Sequence, residues 1–296
     1  MRAYCTEHDI ELREQEPLSG HTTFKIGGPA DWFALPDTAE KLCGLLDFAR
    51  SRGVKTAVIG RGSNLLVLDA GFRGLVVSTA GLCRCVCRGA SVLEADCGMP
   101  LSQLAAQAAG MGLTGLEFAQ GIPGSVGGAV VMNAGAYDGE MSFVVRSSRV
   151  LDPDGGVREL DAPGHQFGYR TSQIKKEPGT VVLSTVLALR EGERADIEEK
   201  MADFAARRRA RQPLQYPSAG SAYKRPEGHF AGQLIEQCGL KGFQIGGARV
   251  ADKHAGFIVN MGGASADDVL RLMEYIEKTV LAQTGVRLER EVRILE

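Results

Sequence analysis

The chain has 296 residues, of which 44% are hydrophobic and 24% charged, and its formal net charge is −2. These values are typical of a globular protein, and the near-neutral charge argues against a nucleic-acid binder, which usually carries a basic excess. The sequence contains no run of about 20 apolar residues that could cross a membrane. The N-terminal stretch MRAYCTEHDIELREQE lacks the apolar core of a secretion signal, so we expect a cytoplasmic protein.

Helix and strand patterns alternate over the first 190 residues. Asp37 and Glu40 predict a capping box for a helix that ends at Gly53. Short strands are predicted at 56–59 and 65–68, and a helix at 101–109. An antiparallel hairpin is predicted over 74–97 with its turn at Arg88-Gly89, followed by strands at 143–151, 157–160 and 181–189. This order indicates a mixed α+β region in two lobes, with a boundary near residue 75 or 80.

The remaining third of the chain has a different composition. A charged amphipathic helix is predicted over 196–211, and a shorter helix over 233–238. Ser265 and Asp268 open a last helix with an apolar stripe from Val269 to Val280. We therefore expect a separate α+β unit from about residue 195 to 296.

The chain has seven cysteines, an odd number that fits reduced thiols. Cys83, Cys85 and Cys87 alternate along a predicted strand and so share one face. No second cluster with ligand spacing accompanies them, so we predict small structural residues here and no metal site.

Two glycine-rich stretches are the most unusual feature of the sequence. Seven of the 26 residues from Gly115 to Glu140 are glycine, which predicts backbone that turns tightly or approaches a ligand and does not build a hydrophobic core; the alternative is a surface loop. The turn Gly60–Asn64 lies between two strands, whereas a dinucleotide fingerprint lies between a strand and a helix. Two such loops suggest a ligand with a long phosphate-bearing body.

Three short polar stretches also look too specific for packing. They are 169–172 (YRTS), 218–224 (SAGSAYK) and 288–293 (LEREVR). The basic end of the helix at 207–211 has two interpretations. It is either a solvated helix terminus favoured by the helix dipole, or a place where one or two arginines reach a phosphate.

Six motifs, in order along nearly the whole chain, closely resemble the UDP-N-acetylenolpyruvoylglucosamine reductase family. They are HTTFKIGGPA (21–30), GRGSNLL (60–66), the stretch 115–140, FGYRTS (167–172), AGSAYK (219–224) and LEREVR (288–293). The short connection between Gly192 and Ser218 resembles the compact type of this family, which lacks an extra insert.

The resemblance implies an α+β fold with a two-lobed FAD-binding module of the PCMH type, followed by a smaller α+β substrate-binding domain. The corresponding boundaries are 1–78 for the first lobe, 79–192 for the second and 193–296 for the substrate domain. The implied activity is NADPH-dependent reduction of an enolpyruvyl ether on a UDP-sugar, in peptidoglycan precursor synthesis. The family also implies a monomer that uses FAD, NADPH and a small-molecule substrate, with no nucleic acid or membrane partner.

The resemblance assigns the FAD contacts to the two glycine loops. Residues 60–68 contain neither His nor Cys, the residues that tether FAD in related flavoproteins, so we expect non-covalent FAD. The implied FAD-binding residues are Gly60, Arg61, Gly62, Ser63, Asn64, Leu65, Gly121, Ile122, Pro123, Gly124, Ser125, Gly127, Gly128, Asn133, Ala134 and Gly135.

The resemblance also assigns the chemistry. Arg170 binds the substrate carboxylate and stabilises the enolate-like intermediate, Ser221 donates the proton, and Glu291 is the acid that assists. A cation such as Lys224 next to Ser221 is a hypothesis for how a serine could act as an acid.

Substrate contacts are expected from Tyr137, Tyr169, Lys224 and Arg225. A core position is almost as good an interpretation for Tyr137. At position 225 this chain has Arg where the family usually has Asn, which puts that contact in doubt. Two alternatives stay open: another FAD-dependent oxidase or dehydrogenase of the same fold, which would not need Arg170, Ser221 and Glu291, and a non-catalytic flavin or nucleotide-sugar binding protein.

Overall fold

The computed structural model describes every residue from 1 to 296. Its α-helices are α1 (Arg2–Glu7), α2 (Ala39–Ser51), α3 (Leu101–Gly110), α4 (Val126–Met132), α5 (Gln173–Lys176), α6 (Arg194–Arg211), α7 (Ala231–Gln237) and α8 (Ala266–Thr284). None of these helices is both long and apolar enough to cross a membrane.

Nineteen strands accompany the helices. They are β1 (Glu11–Pro17), β2 (Pro29–Leu35), β3 (Thr56–Ile59), β4 (Leu65–Val67), β5 (Phe72–Ser78), β6 (Cys85–Gly89), β7 (Val92–Asp96), β8 (Leu113–Thr114), β9 (Gly135–Ala136), β10 (Gly139–Glu140), β11 (Val145–Leu151), β12 (Val157–Asp161), β13 (Val181–Ala188), β14 (Arg190–Glu191), β15 (Ser218–Ser221), β16 (Gln244–Ile245), β17 (Ala248–Val250), β18 (Phe257–Asn260) and β19 (Arg293–Leu295). The α+β class predicted from the sequence is confirmed.

The chain divides into two compact units. The first unit comprises residues 1–14, 32–61 and 74–207, and the second comprises 15–31, 62–73 and 208–296. Each unit is thus built from three separate stretches of the chain. The three-part division predicted at residues 78 and 192 stays a prediction.

The first unit contains a five-stranded sheet and most of a four-stranded one. The larger sheet has the order β12-β11-β13-β7-β6, and the smaller has the order β1-β2-β5-β3. All pairs of the larger sheet are antiparallel, whereas β3 and β5 pair in parallel. Helices α2, α3 and α4 contribute the buried side chains that join these sheets into one core.

The second unit has a four-stranded antiparallel sheet, ordered β15-β18-β17-β16. Its core includes the apolar stripe of α8, and all five predicted stripe positions from Val269 to Val280 are buried. Ser265 and Asp268 open the helix as predicted, and in the structure they form a capping box, in which the Ser265 hydroxyl accepts the Asp268 N–H and the Asp268 carboxylate accepts the Ser265 N–H. Strand β19 pairs in parallel with β4 within this unit.

Three predictions of local structure were wrong. The N-cap of α2 is Thr38 and not Asp37, because the Thr38 hydroxyl accepts the Lys41 N–H at 3.2 Å, while Asp37 pairs with the Lys41 ammonium. The hairpin of β6 and β7 turns at Ala90-Ser91, two residues beyond the predicted Arg88-Gly89. Cys83 and Cys87 are exposed, so they do not act as small core residues.

The stretch 115–140 does build core, contrary to prediction. Leu116, Phe118, Val126 and Val130 are buried in the first unit, and α4 lies within the stretch. The apolar residues between the glycines carry the packing, while Gly127 permits close approach: a Cβ there would lie 2.8 Å from the Cys97 Cβ. The glycines therefore serve packing as well as turning.

Candidate active site

The first glycine turn, Gly60–Asn64, offers a row of unused hydrogen-bond donors. None of its five backbone N–H groups donates to an acceptor within the protein. Gly62 has φ +61°, and a Cβ there would lie 2.1 Å from the His21 carbonyl oxygen, so no side chain fits. Successive open N–H groups in a turn form a concave donor surface that suits an anion.

The second glycine loop, Gly121–Gly128, meets the first at one point. A Cβ on Gly60 would lie 2.2 Å from the Ser125 Oγ. Ser125 is also the N-cap of α4, where its hydroxyl accepts the Gly128 N–H at 3.4 Å. The N–H groups of Gly124 and Ser125 donate to no acceptor within the protein. The structure therefore brings together the two loops that the sequence singled out.

Not every glycine of the second loop is available to a ligand. The Gly127 N–H donates to the Cys97 carbonyl oxygen at 2.8 Å, which makes Gly127 a packing residue. Burial raises the pKa of the Cys97 thiol to about 12. This cysteine next to the loop is therefore a neutral thiol, and not the thiolate that covalent chemistry needs.

Asn133, the first residue of the predicted flavin-lining segment, uses its whole side chain within the protein. It is 1% exposed, and its Nδ2 donates to the Glu140 Oε1 at 3.0 Å and to the Gly168 carbonyl oxygen at 3.1 Å. Its Oδ1 accepts the Ser142 N–H at 3.0 Å. Only the backbone of residues 133–135 remains to face a flavin ring.

Arg170 lies in a tight two-residue turn. Gly168 and Thr171 exchange both backbone hydrogen bonds, at 3.1 and 3.2 Å, and Tyr169 and Arg170 form the turn between them. Arg170 has φ +55°, a left-handed conformation that costs a residue with a Cβ roughly 1–2 kcal/mol. Strain of this kind is frequent at functional sites.

The surroundings hold the strained Arg170 on both sides. Its Nη2 donates to the Gly135 carbonyl oxygen at 3.2 Å, which links it to the predicted flavin-lining segment. The Lys175 Nζ donates to the Arg170 carbonyl oxygen at 2.9 Å, and Ser172 caps the short helix α5 that carries Lys175. Sequence reasoning missed Lys175 because nothing in the local pattern distinguishes it from a surface lysine.

Ser221 ends β15, and the residues after it pair with the stretch around Glu291 through an isolated antiparallel bridge between Tyr223 and Arg290. The Glu291 N–H donates to the carbonyl oxygen of Ala222, the residue after Ser221, at 2.9 Å. The Asn64 Nδ2 donates to the Glu291 carbonyl oxygen at 3.1 Å. The structure thus brings together Ser221, Glu291 and the end of the first glycine turn, which are far apart in sequence.

Lys224 and Arg225 have partners other than Ser221. The Lys224 ammonium forms an ion pair with Glu289, a residue whose side chain is 71% exposed. The Arg225 guanidinium stacks on the Phe230 ring at 3.9 Å. The structure gives no support to the hypothesis that Lys224 activates Ser221.

The two tyrosines predicted to face the substrate differ in environment. Tyr137 is half-buried, with φ +51°, and stacks on Phe204 at 4.5 Å between ring centroids. Tyr169 is 54% exposed and lies next to Arg170, whose guanidinium is 5.3 Å from its ring.

The arginines at the end of α6 also differ in their environments. Arg207 is exposed and pairs with Asp203 one turn earlier, as a solvated helix end would. Arg208 is buried at 9% exposure and contacts Gln212, which the sequence pattern did not indicate.

Comparison with known proteins gives two family models that match separate parts of the chain. A family model described as an FAD binding domain matches residues 30–161. A second, described as the C-terminal domain of UDP-N-acetylenolpyruvoylglucosamine reductase, matches residues 212–295.

Full-length relatives carry that same name. The protein from Clostridium botulinum (strain Hall) is 48% identical over 280 residues, covering 95% of this chain and 91% of the relative. That from Clostridium perfringens (strain SM101) is 45% identical over 292 residues, covering 99% and 95%.

Solved structures add the fold. The reductase of this name from Thermus caldophilus superposes with a TM-score of 0.82 at 36% identity, covering 97% of this chain and 99% of that one. A glucooligosaccharide oxidase from Acremonium strictum matches with a TM-score of 0.51 at 13% identity, covering 98% of this chain and 59% of that one, and at that identity the likeness shows the fold alone.

The match to the FAD binding domain, with two glycine loops that present open N–H donors, defines an FAD-dependent oxidoreductase. The chain belongs to the UDP-N-acetylenolpyruvoylglucosamine reductase family, since relatives of that name are 44–48% identical to it over nearly its whole length. The family and fold predicted from the sequence are confirmed.

Proposed function

We propose that the protein reduces the enolpyruvyl ether of UDP-N-acetylglucosamine-enolpyruvate to the lactyl ether of UDP-N-acetylmuramate, with NADPH as the electron donor. The observation that carries this proposal is the backbone hydrogen bond from Glu291 to Ala222, the residue after Ser221. It supports a proton donor and an acid held side by side on a rigid backbone.

The residues present fit FAD as the cofactor. Residues 60–65 and 121–128 include no acidic side chain that would repel a diphosphate, and the open N–H groups of Gly60, Arg61, Gly124 and Ser125, all in the first unit, would hold it. Bound there, FAD would supply hydride transfer from NADPH to the vinyl carbon of the substrate. We propose non-covalent binding, supported by the lack of His and Cys in 60–68 and the neutral Cys97 thiol.

Arg170 stabilises the negative charge that hydride addition creates on the substrate. Addition to the terminal vinyl carbon drives electrons toward the carbon that bears the carboxylate, and a donor already in place stabilises that charge best. A planar guanidinium grips a carboxylate with two parallel hydrogen bonds and stays protonated throughout. The bonds from Arg170 to Gly135 and from Lys175 to Arg170 support a side chain that is oriented before the substrate arrives.

Ser221 supplies the proton that completes the reduction. A serine hydroxyl is a weak acid, so its contribution depends on being held within reach of the enolate carbon. Ala222 is fixed on both sides, because its N–H donates to the Gly256 carbonyl oxygen at 2.8 Å and its own carbonyl accepts from Glu291. Glu291 assists this transfer as the neighbouring acid.

The UDP end of the substrate requires positively charged contacts, and we assign the first of these contacts to Lys224. Its present partner Glu289 is mostly exposed, so exchange of that carboxylate for a phosphate costs little. We assign further contacts to Tyr137, Tyr169 and Arg225, of which Tyr169 and Arg225 are exposed.

We further propose that the protein acts as a monomer in the cytoplasm. The monomer is what the resemblance to the family implies, and the seven free cysteines fit the reduced thiols of a cytoplasmic protein. Light scattering that gives a mass near 31.6 kDa supports the monomer, and a mass of twice that value contradicts it.

The test of the activity is product formation. The purified FAD-loaded protein is incubated with NADPH and the enolpyruvyl UDP-sugar, and the sugar is followed by mass spectrometry. We expect a product heavier by two hydrogens, formed only when NADPH is present. Unchanged sugar, with flavin reduction by a free sugar or alcohol instead, would favour an oxidase of the same fold.

A further inference from the structure

Asn133 is the hub of a buried hydrogen-bond network. Its Nδ2 donates to Glu140 and Gly168 and its Oδ1 accepts from Ser142, so every hydrogen-bonding group of the side chain is used at 1% exposure. Ser142 completes the network through a hydroxyl bond to the Glu140 carboxylate. A fully satisfied buried network of this kind fixes a single arrangement of the chain.

The bond from Asn133 to Gly168 crosses to the turn that carries Arg170. The Gly168 carbonyl oxygen accepts the Thr171 N–H, which closes the turn, and also the Asn133 Nδ2 at 3.1 Å. A second bond crosses in the opposite direction, from the Arg170 Nη2 to the Gly135 carbonyl oxygen at 3.2 Å. The segments 133–135 and 168–170 are therefore joined at both ends by a hydrogen bond, and together they close a ring.

The backbone at both ends of this ring is left-handed. Asn133 has φ +42° and Arg170 has φ +55°. Asn tolerates this conformation better than other side chains, and it alone offers two donors and an acceptor of the size found here. Gly at position 133 would adopt this backbone conformation but would remove the side-chain donors and acceptor from the network. Asp at the same position would place a second carboxylate against Glu140.

We propose that Asn133 is a positioning residue for Arg170, which it orients by holding the Gly168 carbonyl and hence the turn 168–171. This inference rests on the proposed role of Arg170. It assigns to the Asn133 side chain a function different from the flavin contact that the motif predicts, and leaves flavin contact to the backbone of 133–135.

The first test is N133G, which keeps the left-handed backbone and removes the side chain. The two half-reactions are followed separately by stopped flow: flavin reduction by NADPH, and flavin reoxidation by the enolpyruvyl UDP-sugar. We expect reoxidation to slow by about tenfold to a hundredfold, as for a misplaced catalytic group, with reduction by NADPH changed by less than about twofold.

A double-mutant cycle separates positioning from a general structural role. If Asn133 acts through Arg170, N133G slows reoxidation in the wild-type background but changes it by less than about twofold in an R170A background. The same slowing in both backgrounds overturns the proposal. R170A that leaves reoxidation unchanged overturns the role of Arg170 itself, and is recognised without any Asn133 variant.

The matched control is Asn260→Ala, which also removes a buried side chain with three hydrogen bonds. Asn260 donates to the Phe24 carbonyl and accepts from the Gly262 and Ala264 N–H groups, with no bond to the 168–171 turn. Its effect on reoxidation is expected to be the same in both backgrounds.

A second variant keeps the proposal testable if N133G does not fold. In N133D/E140Q the glutamine amide donates to the new carboxylate, which rebuilds the bond at position 140 but leaves the Gly168 carbonyl without that donor. We expect a folded protein that retains FAD and still shows slow reoxidation. Reoxidation at the wild-type rate in this variant would refute the inference.

Discussion

The Glu291 backbone N–H donates to the Ala222 carbonyl oxygen at 2.9 Å, and Ala222 directly follows the proposed proton donor, Ser221. The Ala222 N–H in turn donates to the Gly256 carbonyl oxygen at 2.8 Å, and Tyr223 and Arg290 form an isolated antiparallel bridge between the same two stretches. In the proposed mechanism, hydride transfer needs the cofactor loops, and proton transfer needs Ser221 and Glu291. Variants should therefore affect the two half-reactions unequally.

Ser221→Ala should slow reoxidation of the reduced flavin by substrate by about 10²- to 10⁴-fold, the usual contribution of a positioned acid. Reduction by NADPH should stay near the wild-type rate, because no proton from Ser221 is needed there. Stopped-flow absorbance measures both rates. Ser218→Ala, at the other end of β15, is the control; equal slowing of both halves in S221A would mean that Ser221 is structural.

Arg170→Lys keeps the positive charge and loses the planar two-pronged donor. We expect reoxidation by substrate to slow by roughly 10²- to 10³-fold, as when a preorganised donor to a developing anion is removed. The exposed Arg146→Lys is the matched control. A wild-type reoxidation rate in R170K would show that only the charge matters and that the strained turn has another purpose.

The buried His165 and the half-buried His254 are expected to make stability depend on pH. Burial lowers the pKa of His165 and of His254, and the His254 Nδ1 accepts the Gly256 N–H at 3.1 Å, which it can do only when neutral. Between the lowered folded-state pKa and the unfolded value of about 6.5, the unfolded chain binds more protons. The stability that the two neutral histidines contribute is therefore complete above the unfolded-state pKa and is lost as the pH falls toward the folded-state pKa.

His254→Asn tests this directly, because the amide oxygen can accept the same N–H without titrating. The free energy of unfolding in urea should fall less between about pH 7.5 and about pH 5 in the variant than in the wild type. His229→Asn, at an exposed position, should leave that difference unchanged. An identical loss in H254N and wild type would exclude His254 as a source of acid sensitivity.

Gly62→Ala should prevent stable FAD binding, because its Cβ would lie 2.1 Å from the His21 carbonyl oxygen at φ +61°. Gly53→Ala is a matched control, with φ +63° and nothing within 4 Å of the added Cβ. The control should lose only the roughly 1–2 kcal/mol of unfolding free energy that a left-handed backbone costs a residue with a Cβ. Equal losses of stability and of bound flavin in the two variants would mean that contact with His21 is unimportant.

The regular elements could be predicted where the pattern and its boundary residues agree. The start of α8 at Ser265 and its apolar stripe are local signals, and both are confirmed. The boundary of α2 was displaced by one residue because two capping side chains, Asp37 and Thr38, are adjacent and only the folded geometry selects between them.

The candidate site was predictable in its residue types but not in its connections. The glycine loops were predicted to be a ligand surface, yet composition alone could not show that Val126 and Val130 are buried in the core of the first unit. The bond between Asn133 and Gly168 joins residues 35 apart, and no periodicity encodes such a contact. The Lys175 bond that holds Arg170 depends in the same way on tertiary structure.

The central claim is that a bound flavin takes electrons from NADPH and passes them to the enolpyruvyl UDP-sugar. An anaerobic titration tests it most directly: NADPH is added to the yellow protein first, and the UDP-sugar second, while the visible flavin absorbance is recorded. The account predicts that the colour is lost on the first addition and returns in full on the second. A flavin that stays reduced after the UDP-sugar is added would contradict it.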